Sequence, residues 1–250
     1  MAQRNWRITA RDRDILEWVV RWRAVTSPQI TRELSRRSDE AVPLKSVERR
    51  MRALRDLGLV QSAAIIADTP MVHWATNEGM LAGGMDAAGL PPRMSTVLHD
   101  LEVVELSFYL LERQPTHRLV TEREIRLAEG GPVGNGNEGP EYLYTTELLA
   151  TPGRKFPDVV TISPTGIVVQ HELERTAKER TRLIKLMTPV VNHDEIRACI
   201  YWTYPHLLAQ VEAAAAEANL RGRWLWSDSE HDKIIVREWN PARPRAVWDA

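Results

Sequence analysis

Residues 156–180 read "FPDVVTISPTGIVVQHELERTAKER". Two apolar runs flank Pro164-Thr165-Gly166, a grouping of residues that marks a tight turn. The segment predicts two antiparallel strands. Asp158 opens the first, and Glu172 and Glu174 close the second. An antiparallel return brings the start of one strand beside the end of its partner. The two-residue period places Glu172 and Glu174 on one face and His171 on the other. Carboxylates gathered at one edge repel one another unless a cation is present.

Two readings follow. In the first, Asp158 and Glu172 bind Mg²⁺ or Mn²⁺, which take a few carboxylate oxygens together with water and phosphate. Glu174 then serves a second ion or acts as a base, and Lys178 assists. In the second, the strand ends are polar because they meet solvent. Glu172 and Glu174 then pair with Arg175, Lys178 or Arg180 as surface ions do.

Outward from this hairpin the pattern is mixed. Upstream, "STVLHDLEVVELSFYLLERQ" is an amphipathic helix, with Asp100 suited to its first turn and His99 packing locally. "THRLVTEREI" predicts a strand presenting Glu122 and Glu124 on one face as further metal ligands. Residues 130–140 hold five Gly and two Pro and predict a loop. Downstream, "RTAKERTRLIKLMT" predicts a helix carrying Lys178. A strand "IRACIYWTY", a helix "PHLLAQVEAAAAEANL" and short strands "GRWLWS" and "DKIIVREW" follow. This order is an α/β arrangement around one sheet. Trp224, Trp226, Trp239 and Trp248 suit core and homodimer contacts better than base stacking.

The first part differs. Residues 1–60 carry 14 Lys/Arg against 8 Asp/Glu, a balance of +6 within a chain of net charge −1. Such asymmetry points towards nucleic acid. "TARDRDILEWVVRWR" predicts a helix capped by Thr9, with Ile15, Trp18, Val19 and Trp22 on its apolar face. A second helix starts at Ser27-Pro28. A third spans 43–57, stopped by Gly58, with Val47, Met51 and Leu54 as its buried stripe. Lys45, Arg49 and Arg52 fall on the opposite face, suited to phosphates and guanine edges. Ser46 lies beside them, and Arg50 and Arg55 sit at the boundary, suited to backbone phosphates. "LVQSAAII" and "MVHWAT" then form a hairpin, with Trp74 in the core. Helix, short helix, basic helix and hairpin make a winged helix-turn-helix.

Several classes are disfavoured. Cys199 is the only cysteine, so neither an intrachain disulfide nor a cysteine zinc site can form. No nucleophile elbow or phosphate-binding loop is present. The start of the chain lacks the apolar run of a signal peptide, and no stretch is long and apolar enough to span a bilayer. The expected setting is the cytoplasm, without membrane association.

The helix–three strands–helix–strand order, with Pro157-Asp158 and Glu172-Leu173-Glu174, resembles the restriction-endonuclease-like, or PD-(D/E)xK, superfamily. The whole chain more specifically resembles the replication-relaxation family of plasmid and phage proteins. That resemblance rests on "RDRDILEWVVRWRAVTSPQI", "RRMRALRDLGLV", "HDLEVVEL", "TEREIR", "PDVV" and "HELERTAKER". It implies a winged helix over residues 1–90, a nuclease-like αβββαβ domain over 94–240 and an irregular tail over 241–250. It implies Asp158, Glu172, Glu174 and Lys178 as catalytic positions and double-stranded DNA as partner. One departure matters: Glu174 stands where the superfamily has Lys. The expected function is therefore DNA binding, either with metal-dependent cleavage or nicking, or with an inert nuclease fold serving transcription or replication control. A protein–protein adaptor is the third reading.

Overall fold

The structure is a computed structural model. It describes residues 7–38, 40–65, 69–129, 144–147, 154–223 and 232–240. The expected loop 130–140, the strand "GRWLWS" beyond Arg223, three of the four late tryptophans and the tail lie outside these residues. The chain is mixed α/β and divides into two compact units at Leu106/Ser107. Among the described residues no helix is long and apolar enough to cross a membrane.

The first unit runs α1 (Ala10–Val19), β1 (Val25–Thr26), α2 (Ser27–Ser38), α3 (Leu44–Asp56), β2 (Val60–Ala63), β3 (Val72–Ala75) and α4 (Asn77–Ala82). Its sheet has the order β1-β3-β2, antiparallel throughout. A capping box starts α1: Thr9 N–H and Oγ1 donate to Asp12 Oδ2, and Asp12 N–H donates back to Thr9 Oγ1. The cap of α2 is Thr26 rather than Ser27. Thr26 N–H donates to Gln29 Oε1 and Gln29 N–H returns to Thr26 Oγ1, while Ser27 Oγ turns to His73 Nε2 at 2.9 Å. Helix α3 buries Val47, Met51, Ala53 and Leu54. It ends at Gly58, whose φ of 75° lets Leu59 N–H reach back to the Leu54 carbonyl.

The boundary between units falls within α5 (Val97–Arg113), later than the expected break near residues 90–94. Its early turns belong to the first unit because they satisfy that unit's buried polar groups. Gln29 Nε2 donates to the Leu101 carbonyl and to Glu105 Oε1, both at 2.9 Å. Arg32 pairs with Glu105 Oε2 at 3.0 Å.

The second unit continues with β4 (Arg118–Thr121), α6 (Glu122–Glu129), β5 (Thr146–Glu147), β6 (Arg154–Lys155), β7 (Val159–Ile162), β8 (Val168–Glu174), α7 (Arg180–Val191), β9 (Ile196–Thr203), a short 3-10 turn (Pro205–Leu207), α8 (Leu208–Arg223) and β10 (Ile234–Glu238). The main sheet is ordered β10-β9-β8-β7-β4. β4 and β8 each run antiparallel to β7, whereas β9 runs parallel to β8 and β10 parallel to β9. Helices α7 and α8 are the crossovers those parallel steps require. They bury Leu183, Met187, Val211 and Ala214 against Cys199 and Tyr201. On the opposite sheet face Tyr109, Trp202 and Trp239 meet edge to face, with His171 stacked on Trp202.

Two expected elements change. The strand expected over residues 116–125 stops at Thr121, because Thr121-x-x-Glu124 is a capping box. Glu124 Oε2 accepts Thr121 N–H at 2.7 Å, and Glu124 N–H returns to Thr121 Oγ1. Helix α7 begins at Arg180, so Lys178 lies in the preceding loop rather than on the helix.

Asp12 ties the first unit together. It is fully buried and receives both Nε and a terminal nitrogen of Arg50, the Nε at 2.7 Å to Oδ1. Burial alone would raise its pKa, but hydrogen bonds from Arg50 and Thr9 outweigh it and hold the pKa below the ordinary value. Its contribution to stability is therefore full above the unfolded carboxylate pKa and fades as pH falls through the depressed folded one. Arg50→Ala leaves that carboxylate buried without its cation and is expected to cost about 3–5 kcal/mol in urea unfolding at neutral pH. A loss below about 1 kcal/mol, the range of a surface pair, would contradict this role.

Candidate functional site

Two clusters bring together the chemistry-bearing residues, one in each unit. In the second unit, the register that pairs Val159 with His171 sets Asp158 opposite Glu172 on the same face. The hairpin turn that fixes this register closes at Gly166, whose φ is 86° and whose N–H donates to the Ser163 carbonyl. Asp158 Oδ2 accepts the Leu173 N–H at 2.8 Å, which turns its carboxylate towards β8. Across the other side of β8, Glu172 faces Tyr201 in the parallel register with β9.

A residue that sequence reasoning missed completes the group. Lys155, at the end of β6, places Nζ 3.0 Å from Glu172 Oε1 and donates to the Tyr201 hydroxyl at 2.6 Å. The same ammonium sits 4.9 Å from the Tyr201 ring centroid. Lys155 is held there by its neighbours. Glu129 accepts the N–H groups of Tyr144 and Thr145, Arg154 donates to the Glu129 carbonyl, and Gln170 donates to the Tyr144 carbonyl. The stacked contact of Arg126 over Phe156, at 4.1 Å, braces the next residue.

Charge balance follows this geometry. Burial would lower the Lys155 pKa, but the Glu172 carboxylate and then Tyr201 push it well above the ordinary lysine value, so the ammonium stays charged. Burial raises Glu172 to about 7; Lys155 opposes that rise and the Asp158 charge adds to it. Cys199 and Tyr201 are raised by burial and stay neutral. Glu174, one pleat further along the same face, is ion-paired with Lys178.

Glu122 and Glu124, expected to join these carboxylates, do not. Both lie on α6 instead of a strand. Glu124 is spent on the helix cap and Glu122 pairs with Arg126 at 2.6 Å, four residues along. Among the described residues no group of three or more His, Cys, Asp or Glu side chains could share a metal ion. Of the expected ligands, Asp158 and Glu172 alone face each other, and Glu172 already meets the Lys155 ammonium. His171, on the opposite face as expected, is structural. Trp202 Nε1 donates to its Nδ1 at 3.2 Å, so its Nε2 carries the proton towards Thr161 Oγ1 at 2.8 Å. Burial lowers its pKa to about 3 and keeps it neutral.

The other cluster lies on α3. Lys45, Arg49, Arg52 and Arg55 are exposed and Ser46 is half-buried. Among the described residues none of the four cations has an ion-pair partner. Arg50, expected on the same surface, instead turns inward to Asp12. No family model matches this chain, and neither a curated protein nor a solved structure matches it.

The raised Glu172 pKa has a defined consequence. Its stabilising contribution is full below the unfolded value and is lost as pH rises through the folded value, so the window is about pH 4.5 to 7. Glu172→Gln is expected to flatten the fall in unfolding free energy across that window, by on the order of 1–3 kcal/mol. An unchanged pH profile in urea melts of the two chains would show that Glu172 ionises as it does in water.

Proposed function

We propose that the chain binds duplex DNA through its first unit, a winged helix with α3 as the groove-facing element. The second unit is, on this reading, a restriction-endonuclease-like scaffold of the replication-relaxation type. The observation that carries the reading is the outward cationic face of α3. Lys45, Arg49 and Arg52, flanked by exposed Glu48 and Asp56, and Arg55 at the boundary are exposed without ion-pair partners among the described residues, while the stripe of Val47, Met51 and Leu54 is buried. A helix facing only water has no need of the three-cation cluster Lys45, Arg49 and Arg52. Phosphates and guanine edges do use them. The element order helix–strand–helix–helix–strand–strand, with β1 and β2 flanking β3, supports the same reading.

The second unit's β4, β7 and β8 are antiparallel neighbours, and α7 leads to β9 parallel to β8, which supports the nuclease-like reading. In this proposal it does not cut. Glu174 replaces the expected lysine and pairs with Lys178, and Lys155 neutralises Glu172. The protein then acts by occupying DNA, in transcription or replication control. The adjacency of Asp158 and Glu172 favours the endonuclease as the second reading.

Salt-dependent binding to random duplex DNA tests the first reading. Replacing Lys45, Arg49 and Arg52 together by Ala is expected to weaken binding. It should also reduce the slope of log K against log salt by about 0.9 for each phosphate that is no longer neutralised. An unchanged slope would remove α3 from the interface. Metal-dependent nicking of supercoiled plasmid, abolished in Asp158→Ala, would favour the second reading over the inert scaffold.

A further inference from the structure

A pocket of about 440 Å³ opens in the first unit between the start of α2, one side of α3 and the β2–β3 hairpin. That volume is within the range of small-molecule sites. Its apolar lining includes Leu44, Met51 and Met71, of which Met51 is buried and Met71 exposed. Arg52 and Arg55 form one wall. The floor is polar. His73 meets Ser27 Oγ through Nε2 at 2.9 Å and Ser62 Oγ through Nδ1 at 2.7 Å.

The protons on that floor can be counted. Burial, and then the Arg55 charge, lower His73 to about 4, so at neutral pH its ring carries one N–H. With two serine hydroxyls, three protons serve two contacts. Whichever tautomer is present, one serine hydroxyl keeps a proton for another acceptor. Among the described residues neither hydroxyl has a further partner. The positive end of the twelve-residue helix α2 lies at the same place, since Ser27 and Pro28 begin it and line the pocket. The site thus offers a hydroxyl donor, two guanidinium groups and an apolar wall. Glu48 is the single acidic lining residue, which leaves the lining net positive.

We infer that this pocket binds a small amphipathic carboxylate, its acid group held by Arg55, Arg52 and a floor serine and its apolar body laid on Met51 and Met71, and that such a ligand displaces DNA. The displacement rests on the DNA reading above, because the ligand takes two of the arginines assigned to phosphate; the binding itself does not. A fatty or aromatic acid of modest size has this chemistry. A bare anion lacks the apolar part, and an uncharged analogue lacks the acid.

The test uses the full chain with ¹³C-labelled methionine methyls and three probes: 4-phenylbutyrate, its uncharged amide, and inorganic phosphate. Saturable shifts of the Met51 and Met71 methyls are expected with 4-phenylbutyrate. Binding should be at least about tenfold weaker for the amide, as when a charge-assisted hydrogen bond is removed. Phosphate should also bind more weakly than the acid. Arg55→Gln, a change at an exposed position, should weaken 4-phenylbutyrate by a similar factor. In the same samples 4-phenylbutyrate should raise the apparent Kd for duplex DNA, and fail to do so in Arg55→Gln. Absence of saturable shifts at millimolar probe, or equal binding of the amide or of phosphate, overturns the pocket. Methyl shifts without any change in DNA affinity overturn the displacement. A chain that shows the shifts yet binds no duplex loses the DNA reading and keeps the pocket.

Discussion

The second unit is organised around a buried ammonium. Lys155 reaches Glu172 and the Tyr201 hydroxyl in a place where Asp158 also bears on Glu172. Moving a lone carboxylate out of water costs several kcal/mol, and two facing carboxylates cost more. The fold meets this cost with a cation from its own chain. Among the described residues the β5–β6 ribbon, the Glu129 carboxylate that ties residues 144 and 145, and the Gln170 amide brace the segment that carries Lys155. Removing the ammonium would take away what opposes the rise of the Glu172 pKa.

The same logic governs the first unit. Of the cations on α3, Arg50 is spent on Asp12, and Lys45, Arg49, Arg52 and Arg55 are left facing outward. A charge count over a segment does not separate these two uses. In sequence, Asp12 is an acid in the first turn of a predicted helix, a position that suits the helix dipole. Its burial depends on α3 arriving thirty-eight residues later in the chain. Long-range pairing of this kind leaves no periodic signal.

Much of the architecture was legible. The buried stripe of α3, the stop at Gly58, the hairpin turn at Gly166 and the opposed faces of His171 and Glu172 follow from periods and turn chemistry. The strand expected to carry Glu122 and Glu124 failed for a readable reason. Thr121-x-x-Glu124 is a helix-start signature, and it outweighed the apparent alternation. Thr26-x-x-Gln29 carries the same signature and was obscured by Ser27-Pro28. Lys155 had a weaker signal. It lies three residues before Asp158 in a stretch between turn-forming residues, and nothing local says that it turns inward to Tyr201. The register that sets Asp158 beside Glu172 was legible from the hairpin turn, while Lys155 came from a ribbon without a strong strand pattern.

The proposal of an inert second unit turns on Lys155, rather than a divalent ion, being the cation beside Glu172. Anomalous diffraction from crystals soaked in millimolar Mn²⁺ tests it most directly. No manganese peak is expected between Asp158 and Glu172, with Lys155 Nζ remaining beside Glu172 and the Tyr201 hydroxyl. A peak bridging the two carboxylates, with the Lys155 side chain swung away, would contradict it.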